Sequence, residues 1–149
     1  MVDIANPLGK IVSEDELIAF EASKNIRLPM VYKTFITEFN GGRPSRTHFS
    51  TQDKKVESHV ALFLPFDENS EESIASEFES ITLAGWLPKN FLPIAITPSG
   101  NRVVLSIEGK DSGSVYFWSW DEQDEDDKAS YKFLRKICDD FGQFLNLLD

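Results

Sequence analysis

The chain has 149 residues, 41% hydrophobic and 27% charged, with twelve phenylalanines, which is enough apolar bulk for one folded domain over 1–149 and too much for a disordered chain. No stretch reaches the ~18 apolar residues of a membrane span, and the opening MVDIANPLGK has neither the basic start nor the apolar core of a secretory leader. A formal net charge of −10 argues against direct nucleic-acid binding, and a single cysteine, Cys138, excludes an intrachain disulfide, so a reducing, cytoplasmic setting is expected.

The first element opens with helix-start chemistry. Ser13 can cap the helix and Glu16 can complete a capping box, with Val12 and Leu17 as a hydrophobic staple. Leu17, Ile18 and Phe20 supply its apolar face as far as about Ser23. A second helix starts at Pro29, whose missing N–H costs nothing in the first turn. Tyr32, Phe35, Ile36 and Phe39 follow helical spacing, and Asn40-Gly41-Gly42 stops it. His59–Phe66 reads as a strand, and 71–83 as helical or irregular. Trp86-Leu87-Pro88 reads as a packed corner, and Phe91–Thr97 as a short strand.

Pro98-Ser99-Gly100-Asn101 is a turn, after which Arg102–Ile107 and Ser114–Trp120 read as strands joined by the polar loop Glu108–Gly113. A closing helix is predicted from Leu134, Ile137, Cys138, Phe141, Phe144, Leu145 and Leu148, which trace one apolar stripe. The order gives an α+β fold, an antiparallel sheet of about four or more strands flanked by helices. Val103, Leu105, Ile107, Val115 and Phe117 alternate with Val104, Tyr116, Trp118 and Trp120, so both sheet faces carry large apolar groups. Helices can cover one face. The other needs long segments over it or stays open for binding.

The acidity is local. Residues 67–79 hold Asp67, Glu68, Glu71, Glu72, Glu77 and Glu79 with no base, and 121–127 hold Asp121, Glu122, Asp124, Glu125, Asp126 and Asp127 with none. These account for twelve of the 25 acids, and the other thirteen face fifteen bases.

The series Leu28-Pro29-x-x-Tyr32-x-x-Phe35-x-x-x-Phe39-Asn40-Gly41-Gly42-x-Pro44 closely resembles the signature of the SUKH superfamily, which includes the fungal Smi/Knr cell-wall regulators and many bacterial immunity proteins. The likeness continues in order. Glu16–Glu21 resembles the family's first helix, and Leu87-Pro88-x-x-Phe91-Leu92-Pro93-Ile94-Ala95 its central segment. Gly100-Asn101 resembles its turn, Gly113-x-Val115-Tyr116-Phe117-Trp118 its last strand, and Phe141-x-x-Phe144-Leu145-x-x-Leu148 its closing helix. Thr97 and Ser99 depart from it, standing where Asp and a second Gly are common. The resemblance implies the Smi/Knr-like α+β fold and a protein that works by binding. Its recognisable residues are structural, and none is a catalytic group.

The remaining residues agree with that. His48 and His59 have no second His or Cys at metal-ligand spacing, and Cys138 sits on an apolar stripe, where a buried thiol is inert. Gly41-Gly42-Arg43 can be imagined as an anion nest, although a helix stop explains it. Asp121–Asp127 fails the EF-hand pattern, since loop position six is Asp126 and position twelve Lys132. The reading for that run is a solvated loop, its acids lying near the start of the closing helix.

No catalytic residue, cofactor or metal is therefore expected. The expected function is an immunity protein that neutralises a cognate polymorphic or contact-dependent toxin, a nuclease being one candidate, by steric and electrostatic blocking. The alternative is a regulatory adaptor of the Smi/Knr type. The expected partner is a toxin with a basic surface, with no nucleic acid or membrane bound directly. The contact residues expected are Asp67, Glu68, Glu71, Glu72, Asp121, Glu122, Asp124, Glu125, Asp126 and Asp127, with Trp118 or Trp120 as an exposed aromatic anchor; the alternative is that both tryptophans are core and the acids only aid solubility.

Overall fold

A computed structural model of the chain describes residues 3–5 and 10–149. Residues 1, 2 and 6–9, part of the stretch read for a leader, lie outside the described residues. The first helix, α1 (Glu14–Lys24), begins as its sequence predicts: Ser13 Oγ accepts the Glu16 N–H at 3.1 Å and Glu16 Oε1 accepts the Ser13 N–H at 3.4 Å. Val12 and Leu17 are both buried behind this cap. The second, α2 (Met30–Phe39), starts one residue after Pro29 and turns Tyr32, Phe35 and Ile36 inward. Asn40 ends it with φ 45° and ψ 54°, a left-handed conformation that Asn tolerates.

Gly41 and Gly42 do more than stop α2. A Cβ on Gly41 would lie 2.7 Å from Pro65 N, and one on Gly42 only 1.9 Å from Ala5 O. That approach lets Gly42 bridge to Phe63 and lets β1 (Ile4–Ala5) pair with β2 (Arg43–Pro44). The Gly42 N–H donates to Phe63 O at 3.0 Å and is spent, which leaves no anion nest.

A short hairpin follows, β3 (His48–Ser50) against β4 (Glu57–His59), which is polar except for the buried Phe49. The single strand expected over His59–Phe66 is divided, because the chain leaves this hairpin at His59. It joins the main sheet at Ala61, whose N–H donates to Ile96 O, and forms β5 (Leu62–Phe63). Next come α3 (Ile74–Glu77), capped by Ser73, and a π-helical stretch, Phe78–Leu83.

The main sheet is antiparallel in the order β5-β6-β7-β8-β9, with β6 at Phe91–Ile96, β7 at Arg102–Ser106, β8 at Val115–Trp118 and β9 at Leu134–Cys138. The chain ends in α4 (Phe141–Leu147), capped by Asp140, whose Oδ1 accepts the Gln143 N–H at 2.8 Å. The long closing helix is thus corrected to a strand and a short helix. Leu134, Ile137 and Cys138 have helical spacing, but β8 would otherwise stand as a bare edge, and pairing with β9 satisfies its backbone groups. A register shift between Val115 and Tyr116 keeps Ile137 and Cys138 both buried.

Two apolar clusters flank this sheet. The larger one packs α1, α2 and α4 on Val103, Leu105, Val115 and Phe117, with Phe35, Phe63 and Phe141 meeting edge to face at 5.0–6.1 Å. The smaller one lies on the opposite face and joins Ile81, Leu87, Phe91, Val104 and Trp118 under Trp86, Tyr116, Trp120, Phe133 and Leu134. Aperiodic segments around 78–88 and 119–133 therefore cover the second face. Burying each such aromatic contributes roughly 1.5–3 kcal/mol.

Candidate functional site

The two acidic segments flank one turn. Arg102 Nε donates to Glu77 Oε1 at 2.5 Å in an ion pair whose side chains are 15% and 11% exposed. Its neighbour Asn101 turns Oδ1 to the Asp121 N–H at 3.2 Å. The 67–79 and 121–127 runs are thereby tied to adjacent residues at one end of β7.

Partners within the first run neutralise part of it. Asp67 meets Lys10 Nζ at 3.4 Å, and Glu79 pairs with Lys24. The Asn69 N–H, 3.0 Å from Asp67 Oδ1, and then Lys10 hold the Asp67 carboxyl below its ordinary value. Glu68, Glu71 and Glu72 stay exposed and make no ion pair among the described residues. Glu68, Glu71 and Glu79 rim a groove of about 440 Å³ floored by Phe20 and Ala75.

The second run is built rather than loose. Trp120–Glu122 and Glu125–Asp127 are 3-10 turns, and Asp124 caps the second by accepting the Asp126 and Asp127 N–H groups at 3.0 and 3.1 Å. Between them Gln123 acts as a pin. Its Oε1 accepts the Trp118 indole N–H at 3.2 Å, and its Nε2 donates to Asp124 O at 3.1 Å and Asp127 O at 3.0 Å. Trp120 lies 4.9 Å from Trp118 and 5.1 Å from Trp86, centroid to centroid, and Lys128 Nζ sits 4.2 Å above the Trp86 ring.

Asp121, Glu122, Asp124, Glu125 and Asp126 are exposed, while Asp127 is half-buried beside Lys132. The run precedes an edge strand, so its acids do not lie at the start of the closing helix as expected. Trp118, expected as an exposed anchor, is 0% exposed and belongs to the core. Trp120 is half-buried. The pinning roles of Gln123 and Asn101 were missed in sequence, because an isolated amide carries no local pattern.

The single thiol is not an activated nucleophile. Burial pushes the Cys138 thiol up to about 12, so it stays protonated. Among the described residues, no group of three or more His, Cys, Asp or Glu converges to hold a metal. No described helix is long and apolar enough to cross a membrane.

A family model describing the SMI1 / KNR4 family (SUKH-1) matches residues 11–147. The chain belongs to the SMI1/KNR4 family. No individual curated protein matches it in sequence. The SUKH-1 signature residues now have physical roles: Pro29 opens α2, Tyr32 and Phe35 fill the larger core, and Gly42 admits the β1 backbone. Asn40 is 2% exposed and ties three chain segments together. In this SUKH-1 chain, then, the shared residues make the scaffold, and the acidic runs lie outside the motifs that carry the resemblance.

Proposed function

We propose that this SUKH-1 protein is an immunity protein that binds a cognate toxin and blocks it by shape and negative potential, without turnover. The observation that carries the reading is the pinned Trp120–Asp127 segment, which holds five exposed carboxylates on a prearranged backbone. A fixed array of like charge attracts a basic surface from a distance, and its order costs little further entropy on docking. A nuclease fits as the target, since the surface it offers to nucleic acid is basic. Glu68, Glu71 and Glu72 extend the contact, with Trp120 as its aromatic component and Trp118 acting from beneath through Gln123.

The test replaces Asp124, Glu125 and Asp126 by Lys and measures association with the toxin encoded beside this gene, at low and high salt. The expected result is an on-rate at least about tenfold lower at low salt, with a flattened salt dependence. An unchanged rate and unchanged salt dependence remove the segment from the interface. Co-expression without rescue of toxin-producing cells, and without co-purification, refutes the immunity reading itself.

A further inference from the structure

The hairpin of β3 and β4 brings together the only two histidines of the chain, eleven positions apart in sequence. In its antiparallel register His48 stands opposite His59. At the neighbouring pair, Val60 N–H donates to Thr47 O at 2.8 Å, so the histidines occupy the non-hydrogen-bonded position, where cross-strand side chains come closest. The strand is held from its other side too, since the His48 N–H and C=O exchange bonds of 3.0 Å with the backbone of Asp149. The imidazole centroids are 5.3 Å apart, with the ring planes at 62°.

Each ring has one nitrogen occupied and one open. His59 Nδ1 is 2.9 Å from Thr47 Oγ1, and His48 Nε2 is 2.9 Å from Glu57 Oε1. No hydrogen-bond partner among the described residues takes His48 Nδ1 or His59 Nε2. Metal-binding imidazoles divide their nitrogens in this way, one toward the ion and the other fixed by a carboxylate or another oxygen. The spacing also agrees. With metal–nitrogen bonds of about 2.0–2.1 Å, two imidazoles on one tetrahedral ion have centroids about 5 Å apart.

We propose that His48 and His59 form a two-histidine site for a borderline divalent transition metal, zinc or copper(II). His48 Nδ1 and His59 Nε2 are the ligands, Glu57 and Thr47 orient the rings, and water completes the coordination. Imidazole suits these ions, whereas magnesium and calcium demand oxygen ligands. The site is open to solvent, with the His48 side chain 34% exposed and His59 exposed as well. A bound ion links β3 to β4. Linear spacing hides the site, because only the turn between the strands aligns the two positions.

The test is calorimetric titration of the untagged full chain with zinc chloride, copper(II) sulfate and magnesium chloride. Zinc and copper should each saturate one site per chain, and magnesium none. His48→Gln and His59→Gln, each confirmed folded by circular dichroism, should abolish that binding at the same concentrations. Thr47→Val keeps both ligands but frees the His59 ring, and should weaken binding by about tenfold or more. Electron paramagnetic resonance of the copper complex should show two nitrogen donors. Absence of saturable binding below millimolar metal overturns the proposal. So does binding that survives in both histidine variants, since it then belongs to carboxylates elsewhere.

Discussion

Asn40 and Phe66 are joined as two strands would be, through a side chain instead of a second backbone. The Asn40 carboxamide accepts the Phe66 N–H at 2.7 Å and donates to Phe66 O at 3.4 Å, while its Nδ2 also reaches Lys10 O at 3.1 Å. The same residue holds the left-handed turn that ends α2. Asn40→Ala strands a buried N–H and strains the turn, and should cost about 2–4 kcal/mol. Asn40→Gly relieves only the turn and should recover about 1 kcal/mol of that. Urea unfolding of the pair separates the two contributions, and equal losses would show that the turn is not strained.

Glycine substitution should discriminate sharply between positions of similar φ. Gly42→Ala sets a methyl group 1.9 Å from Ala5 O at φ +122°, so the β1–β2 pairing must open or the protein must lose about 3 kcal/mol or more. Gly85, at φ +97° with nothing within 4 Å of a Cβ, carries only the conformational penalty, about 1–2 kcal/mol for Ala. Thermal unfolding of both variants checks the contrast.

Tyr32 is 1% exposed, and its hydroxyl has no hydrogen-bond partner among the described residues. Burial alone raises its ionisation well above the ordinary value. Its ring packs edge-on to Phe141 at 5.1 Å, and Phe preserves that contact. Tyr32→Phe should therefore leave stability unchanged or raise it by up to about 1 kcal/mol. A clear loss in chemical denaturation would mean that the hydroxyl is well served in solution.

Asp53 ties the β3–β4 turn to β9. Its carboxylate takes the Thr51 hydroxyl at 2.6 Å and the Lys55 N–H at 3.0 Å, and meets Arg135 at 2.8 Å, which together hold it down to about 2. A carboxyl depressed on folding lends stability above its unfolded value of 3.8 and loses it as pH falls toward 2. Asp53→Asn should flatten the acid limb of stability between about pH 4 and pH 2. Carboxyl carbon NMR through that range reads the titration directly.

Cys138 should react slowly with a thiol reagent at pH 8 in the folded protein, because burial keeps it protonated up to about 12. Denaturant should restore the rate of a free thiol. A fast native reaction would indicate local opening of β9.

The helices were legible because their signals are local: the Ser13–Glu16 box and the Asn40-Gly41 stop lie within a few residues of what they define. The alternation in β7 and β8 likewise announced two apolar faces, and both clusters exist. What failed was non-local. Leu134–Cys138 has helical spacing and becomes a strand because β8 needs a neighbour, and nothing in residues 134–138 themselves encodes that need. The β3–β4 hairpin sends only Phe49 of its strand residues into the core, an alternation too short to announce a strand. Trp118 was offered as exposed, yet its cover comes from segments without period, so its burial could not be read from its own strand.

The outer rim of β9 is partly occupied. Gln52 N–H donates to the Lys136 carbonyl at 2.8 Å, and the Tyr131 carbonyl accepts the Leu134 N–H at 3.0 Å. Arg135 and Lys136 add charge along the same strand. A foreign chain seeking to extend the sheet by backbone pairing finds those two groups taken and the ion pairs Arg135–Asp53 and Lys136–Asp139 in its way. Strand addition by a second molecule is thus hindered at this border by the protein's own backbone and side chains.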